Sequence, residues 1–330
     1  MPRLLVNLAV LFVLVATAQF ARADVDIQVF AGKHDRTGTP VSVKLSRSLA
    51  QYRHFALTRI DNDKNVPVQV TSGKTPQITW LIGETLSAGQ SRRYRLSPAE
   101  KPAKPSHGVE VKDDGKSLRI SVAGKPVLVY NTAVVRSPNR KEAYYDRSGY
   151  IHPLYNPRGQ IVTDDFAPDH PHQHGMMFPW TNTSFEGRAV NFWDQQKGKG
   201  KIAHGSIKAS GGGSVFGEFI VRLNHFDTTN PDKPKPVLSE IWQMRVYNLA
   251  DYFLFDLKSK QECVGNPLQI EKYHYGGFAI RGHRNWLTPG QGDFLTSEGK
   301  TRKDGNHTRP RWVDIHGNID GAMAGVTIFC

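Results

Sequence analysis

Cysteine is nearly absent: the 330 residues hold two, Cys263 and Cys330. No disulfide framework can be built from so few, so the fold rests on its apolar core, and no Cys-x-x-Cys pair is present for a zinc ribbon or redox motif. A single bridge between the two cysteines has no positive support. Long apolar runs are equally scarce. The one present, Leu4 to Val15, is shorter than the roughly 20 residues a membrane-spanning helix needs. No window carries a sustained 3.6-residue apolar stripe with caps, which argues against a helical protein. Walker, Rossmann and Gly-x-Ser-x-Gly patterns are missing too, so nucleotide binding and serine hydrolysis are disfavoured.

The apolar run has another use. Arg3 precedes it and Ala21-Arg22-Ala23 follows, a small-x-small sequence of the kind signal peptidase reads, so residues 1–23 are expected to be a cleaved signal peptide and Asp24 the mature N-terminus. An uncleaved anchor is the competing reading. Export to the periplasm or the extracellular space follows, with no transmembrane segment after cleavage. The 307 residues from Asp24 on can bury roughly 75% of the unfolded surface and suffice for two domains. They carry 41 basic against 30 acidic side chains. The basic residues are scattered, with Lys197, Lys199 and Lys201 separated by glycines, so nucleic acid is an unlikely partner. An anionic envelope surface or glycan suits an exported protein better, and a merely solvated surface is the plainest explanation.

Pro98, Pro102 and Pro105 mark residues 98–107 as a linker. Before it, Val25–Val29 and Val41–Leu45 alternate with period two, so residues 24–97 read as a small β-sandwich module. After it, residues 108–330 form a larger β domain. Leu118, Ile120 and Val122 alternate, Gly124-Lys125-Pro126 turns, and Val127 to Tyr130 returns as a hairpin. Further strands are expected at Glu218–Leu223, Ser239–Tyr247 and Tyr252–Leu257. The Ser137–Lys201 stretch is dense in Pro, Gly, Asn, His and Trp and reads as a long functional loop.

Within it, Asp169-His170-Pro171-His172-Gln173-His174-Gly175 sets three imidazoles and a carboxylate in seven residues. Along an extended segment residues i, i+2 and i+4 share a side, so His170, His172 and His174 are expected to converge. Three imidazoles suit a divalent metal ion, although Pro171 interrupts regular pairing. Without a metal, one imidazole moves protons at a sugar carbon or hydroxyl while Asp169 orients it, and Glu186 or Glu240 supplies the opposing group. A hydrogen-bonded turn is the bland alternative, as an exposed strand position is for Glu240.

Trp180 and Trp193 offer flat faces beside Asn182, Glu186, Arg188 and Asn191, the mixture of apolar face and planar donors that sugars match. For Trp242 core packing is the better reading. His274, in Glu271–Phe278, and Arg281 are further candidates across the sheet, and the Gly276-Gly277 pair marks a bulge or a close backbone approach. Gly211-Gly212-Gly213 reads as a flexible turn.

Ser148–Tyr155, Val162–Phe166, Pro168–Gly175, Trp180–Asn182 and Phe185–Arg188 resemble a bacterial family labelled PmoA, and Leu86–Gln90 with Tyr94–Leu96 resembles its N-terminal module. The label "methane oxygenase" does not transfer, because the membrane subunit of that name is a multi-helix integral protein. The resemblance implies an exported, β-rich protein whose larger domain is a β-supersandwich similar to the galactose mutarotase type, an architecture shared by sugar epimerases, lyases and glycosidases. It also suggests that the chain, ending on the strand-like Ala324–Cys330, is missing a C-terminal portion.

The leading expectation is an all-β, exported, carbohydrate-active enzyme using His/carboxylate acid–base chemistry, with one divalent metal ion as an open question. A non-catalytic glycan-binding protein and a metal-binding oxidative enzyme are the alternatives.

Overall fold

A computed structural model describes residues 24–71, 75–101 and 107–329. The expected signal peptide, Cys330 and residues 102–106 of the expected linker lie outside them. The regular structure of the described residues is nearly all strand, with three short 3-10 turns and no helix long and apolar enough to cross a membrane. Period-two patterning is the cause: in His54–Arg59 and Ser91–Ala99, alternate residues are buried and the rest face out. The strand Ser91–Ala99 runs through Pro98 into the stretch read as linker. Pro98 pairs with Phe55 in the ladder.

The first module packs a four-stranded sheet (Val25–Phe30, Ser91–Ala99, His54–Arg59, Asn65–Val66) against a three-stranded one (Thr39–Lys44, Gln77–Ile82, Val68–Thr71). Phe55, Leu57, Ile78, Trp80, Tyr94 and Leu96 fill the space between.

In the second part, Val109–Asp113, Ser117–Val122, Lys125–Asn131, Tyr150–Leu154, Met176–Met177 and Ala279–Ile280 make a six-stranded sheet. Its hairpin turns at Ala123 and Gly124, both at positive φ (49° and 78°), one residue earlier than the sequence suggested. Positive φ at both central residues matches the turn to the strands' right-handed twist. Facing this sheet is a meander of long antiparallel strands, Gly200–Gly211, Phe216–Asp227, Lys235–Tyr247 and Phe255–Cys263. These strands outrun the shorter ones expected, and the last begins at Phe255 rather than Tyr252. One core containing Leu118, Tyr130, Ile151, Phe219, Val221 and Trp242 joins the two sheets.

A three-stranded sheet, Gly292–Thr296, Trp312–Ile319 and Ala322–Phe329, follows. Gln69 ties the two parts together, its Oε1 accepting from the backbone N–H groups of Val215 (3.0 Å) and Phe216 (3.2 Å). A cleft of about 400 Å³ lies between them, lined by Arg59, Lys64, Leu81, Arg92, Val215 and Asn248.

Candidate functional site

Among the described residues His170–His174 forms a short strand paired only with Asp165–Ala167, with Asp165 opposite His174 and Ala167 opposite His170. Such an edge tolerates Pro171. Gly175 ends the strand at φ 34°, with its amide on Asp164 O (2.9 Å) and its carbonyl accepting from Arg281 N (2.7 Å). A side chain here would run into Ile151.

The three imidazoles do not converge as expected. They descend from surface to core: His170 is exposed, His172 partly buried and His174 fully buried. His174 Nδ1 lies 2.6 Å from Asp165 and Nε2 2.9 Å from Gln195 Oε1, so neither nitrogen is open to a metal. Among the described residues no group of three or more His, Cys, Asp or Glu side chains is placed to hold a metal ion. The donor set does not fit the tri-histidine metal site expected from spacing, and no step is routed through one.

His170 and His172 remain together at the surface, ring centroids 5.6 Å apart. Asp169 lies 2.8 Å from His170 Nδ1, and its other oxygen accepts from Arg281, whose Nη1 also donates to Gln173 (2.8 Å). Burial opposes ionisation of Asp169, but the hydrogen bonds from Arg281 and His170 outweigh it and hold the carboxyl at about 2. An ionised Asp169 keeps the His170 proton on Nδ1 and leaves Nε2 as the free, outward nitrogen. Burial presses His172 down to about 4 against the pull of Asp194, so at neutral pH its ring is uncharged. Among the described residues no side-chain hydrogen bond engages the ring.

Around this pair the fold gathers Tyr144, Tyr145 and Asp194, which sequence reasoning passed over, and the loop of the candidate His274 lies close to Asp194. The 3-10 turn Arg140–Tyr145 brings Tyr145 to 6.4 Å from the His172 ring, with Tyr144 beside it. Asp194 accepts from Asn191 Nδ2 (3.0 Å) and Lys197 Nζ (2.7 Å), and its charge reaches Tyr275, whose hydroxyl is pushed up to about 12 by burial and then by that charge. Tyr273, His274 and Tyr275 stack in turn on the exposed loop 271–278. Tyr273 and Tyr275 are 46% and 37% exposed. The adjacent tyrosines 144 and 145 and the Tyr-His-Tyr run were the available signals; what placed Tyr145 beside His172 and Tyr275 over Trp193 is tertiary.

Other candidates go elsewhere. Trp193 is buried beneath Tyr275 (5.3 Å), and the Trp180 indole N–H donates inward to Gln261 Oε1 (2.7 Å), so the exposed aromatic surface is tyrosine rather than tryptophan. Glu186 belongs to an ion-pair group with Arg188, Lys235 and Asn266, and Arg188 reaches Asp227 (2.8 Å). None of these partners comes from the histidine strand. Asn182 is exposed, and its carbonyl accepts from Glu271 N (2.9 Å). Glu240 is neither exposed nor next to the histidines; it is fully buried, with His225, Trp242, Ser259 and Gln261 around its carboxylate.

Beneath His172 the buried polar layer continues. Asp165 also accepts from Tyr150 Oη (2.6 Å). Arg147 is 2% exposed, and its Nε and Nη2 lack any hydrogen-bond partner. Burial lowers its guanidinium to about 10, partly offset by Tyr150, Asp165 and Glu240. Five donors in so dry a place need acceptors, and bound water is the plain one.

The sequence profile of a family of unknown function, DUF6807, matches residues 117–330. The chain belongs to that family. The DUF6807 match opens at Ser117, the start of a core strand, and takes in the histidine strand, Asp194 and the tyrosine loop, while the first module lies before it. No curated protein and no solved structure matches the chain.

Proposed function

We propose that this DUF6807 protein is an exported, carbohydrate-active enzyme that moves a proton at a sugar carbon or glycosidic oxygen, with His170 as the acid/base. The Asp169–His170 pair, clamped from behind by Arg281, carries the reading. It fixes the tautomer, leaves Nε2 outward, and stands beside the neutral ring of His172, which can donate to or accept from a substrate hydroxyl. Tyr273 and Tyr275 offer faces to the C–H side of a pyranose, while Lys197 and His274 offer polar groups to its hydroxyls. The resemblance to the family labelled PmoA and to mutarotase-type sandwiches points the same way, and the Leu4–Val15 run with Ala21-Arg22-Ala23 supports export.

Proton NMR of the mature protein with a panel of reducing sugars, glycosides and uronides in D2O tests the reading. Exchange or turnover that disappears in His170→Ala supports it. No reaction with any of the panel, together with sugar affinity that survives His170→Ala and His172→Ala, replaces it with a glycan-binding role. The exposed tyrosines favour that second reading over an oxidative metalloenzyme.

A further inference from the structure

The acid/base site makes no use of Glu240, yet the fold buries this carboxylate completely and surrounds it with donors. His225 Nε2 lies 2.7 Å from Oε2, and Oε1 accepts from Trp242 Nε1 (2.6 Å), Ser259 Oγ (2.5 Å) and Gln261 Nε2 (3.0 Å). Burial disfavours the charge, and these hydrogen bonds outweigh it, so the carboxylate stays ionised. An ionised carboxylate only accepts. The Gln261 amide must therefore turn its NH2 toward Glu240 and its carbonyl away. That carbonyl meets the Trp180 indole N–H at 2.7 Å, and an indole only donates, so both ends of the amide have one allowed orientation.

Trp180 passes this order outward. A Cβ on Gly277 would sit 3.4 Å from its ring, and one on Gly276 would meet Thr181 Oγ1 at 2.8 Å, so the loop lies directly on residues 180–181. Gly277 N donates to Pro179 O (2.8 Å) and Glu271 N to Asn182 O (2.9 Å). Loop 271–278 carries Tyr273, His274 and Tyr275, and Tyr275 meets Asp194 and Trp193 at the site.

We infer that Glu240 is a positioning residue that, through Gln261 and Trp180, holds the tyrosine loop in place over Trp193. It touches no substrate. The relay serves the site proposed above but is read without any substrate, so it can fail while the acid/base reading stands, and the reverse.

Amide hydrogen exchange across residues 271–278 and the Trp180 indole N–H resonance, assigned with Trp180→Phe, test it in the full chain. Gln261→Met removes both hydrogen bonds; the indole resonance shifts, and exchange at Glu271 and Gly277 speeds up roughly two- to tenfold, the factor one neutral hydrogen bond gives. Gln261→Glu tests the donor logic. A carboxyl beside Glu240 is held protonated at low pH, where its O–H donates to Glu240 and its carbonyl accepts from Trp180. Wild-type protection factors, with the intrinsic pH dependence of exchange divided out, and the wild-type indole resonance are expected there; as the pH rises from 5 to 10 the new acid ionises, its bond to Glu240 is lost and the two carboxylates repel, so both readouts depart from those of the wild type, which stay flat. A generic packing defect has no such pH profile. If Gln261→Met does not fold, the Gln261→Glu series decides alone. Wild-type exchange and resonance in Gln261→Met, or a Gln261→Glu profile as flat as the wild type, overturns the relay.

Discussion

His170 and Asp169 form a hydrogen-bonded pair of 2.8 Å whose carboxylate is held from its other side by Arg281, 112 positions away in the chain. The pair is exposed and backed by a rigid layer, an arrangement suited to proton transfer rather than to stability.

Asp169→Asn keeps the shape of the pair and removes the charge that fixes the tautomer. Turnover on the first sugar found to react is expected to fall by about 10² to 10⁴, the share general acid/base catalysis supplies. Steady-state kinetics beside a thermal melt checks this, and an unchanged kcat would remove His170 from the chemistry.

His172 makes stability depend on pH. Its folded pKa of about 4 lies below the usual imidazole value, so the unfolded chain takes up the proton first. The contribution is fully present above about pH 6.5, declines as the pH falls from 6.5 to 4, and is constant below. Its ceiling is about 3 kcal/mol, less after screening by solvent at the partly exposed ring. Urea unfolding at pH 7, 5.5 and 4 should show His172→Gln losing less stability on acidification than the wild type.

His174 tests the buried layer. Replacing it by Leu leaves Asp165 and Gln195 without their partner in the interior, and a loss of about 3–5 kcal/mol is expected. His170→Ala, at the surface, should stay within about 0.5 kcal/mol of wild type. Equal midpoints for the two variants in urea would contradict the descent from surface to core.

Tyr275→Ala removes an exposed aromatic face that packs on Trp193. Calorimetry with a sugar ligand is expected to show roughly tenfold weaker binding, about 1.4 kcal/mol. Affinity equal to wild type would place the sugar elsewhere.

Metal content gives a final check. Because both nitrogens of His174 are engaged, the untagged protein and His172→Ala should carry the same background metal by plasma mass spectrometry. One equivalent present only in the wild type would reopen the metal reading.

Much of this protein was legible in its sequence, because local rules govern those parts. Period-two alternation in Ser117–Val122 and Lys235–Tyr247 dictates strands, scarcity of cysteine dictates an apolar core, and the His-x-His-x-His spacing marks a special segment whatever surrounds it. The identity of the neighbours was not legible. His170, His172 and His174 have the same side chain at the same spacing, yet one faces solvent, one lies half-covered against Tyr145, and one is sealed between Asp165 and Gln195. Glu240, a plain strand carboxylate by pattern, became the centre of a buried network because His225, Ser259 and Gln261 reach it from the two neighbouring strands. Burial and hydrogen-bond partners set the charge and freedom of each group, and residues far apart in the chain supply them, so tertiary structure alone decided which of these side chains can act.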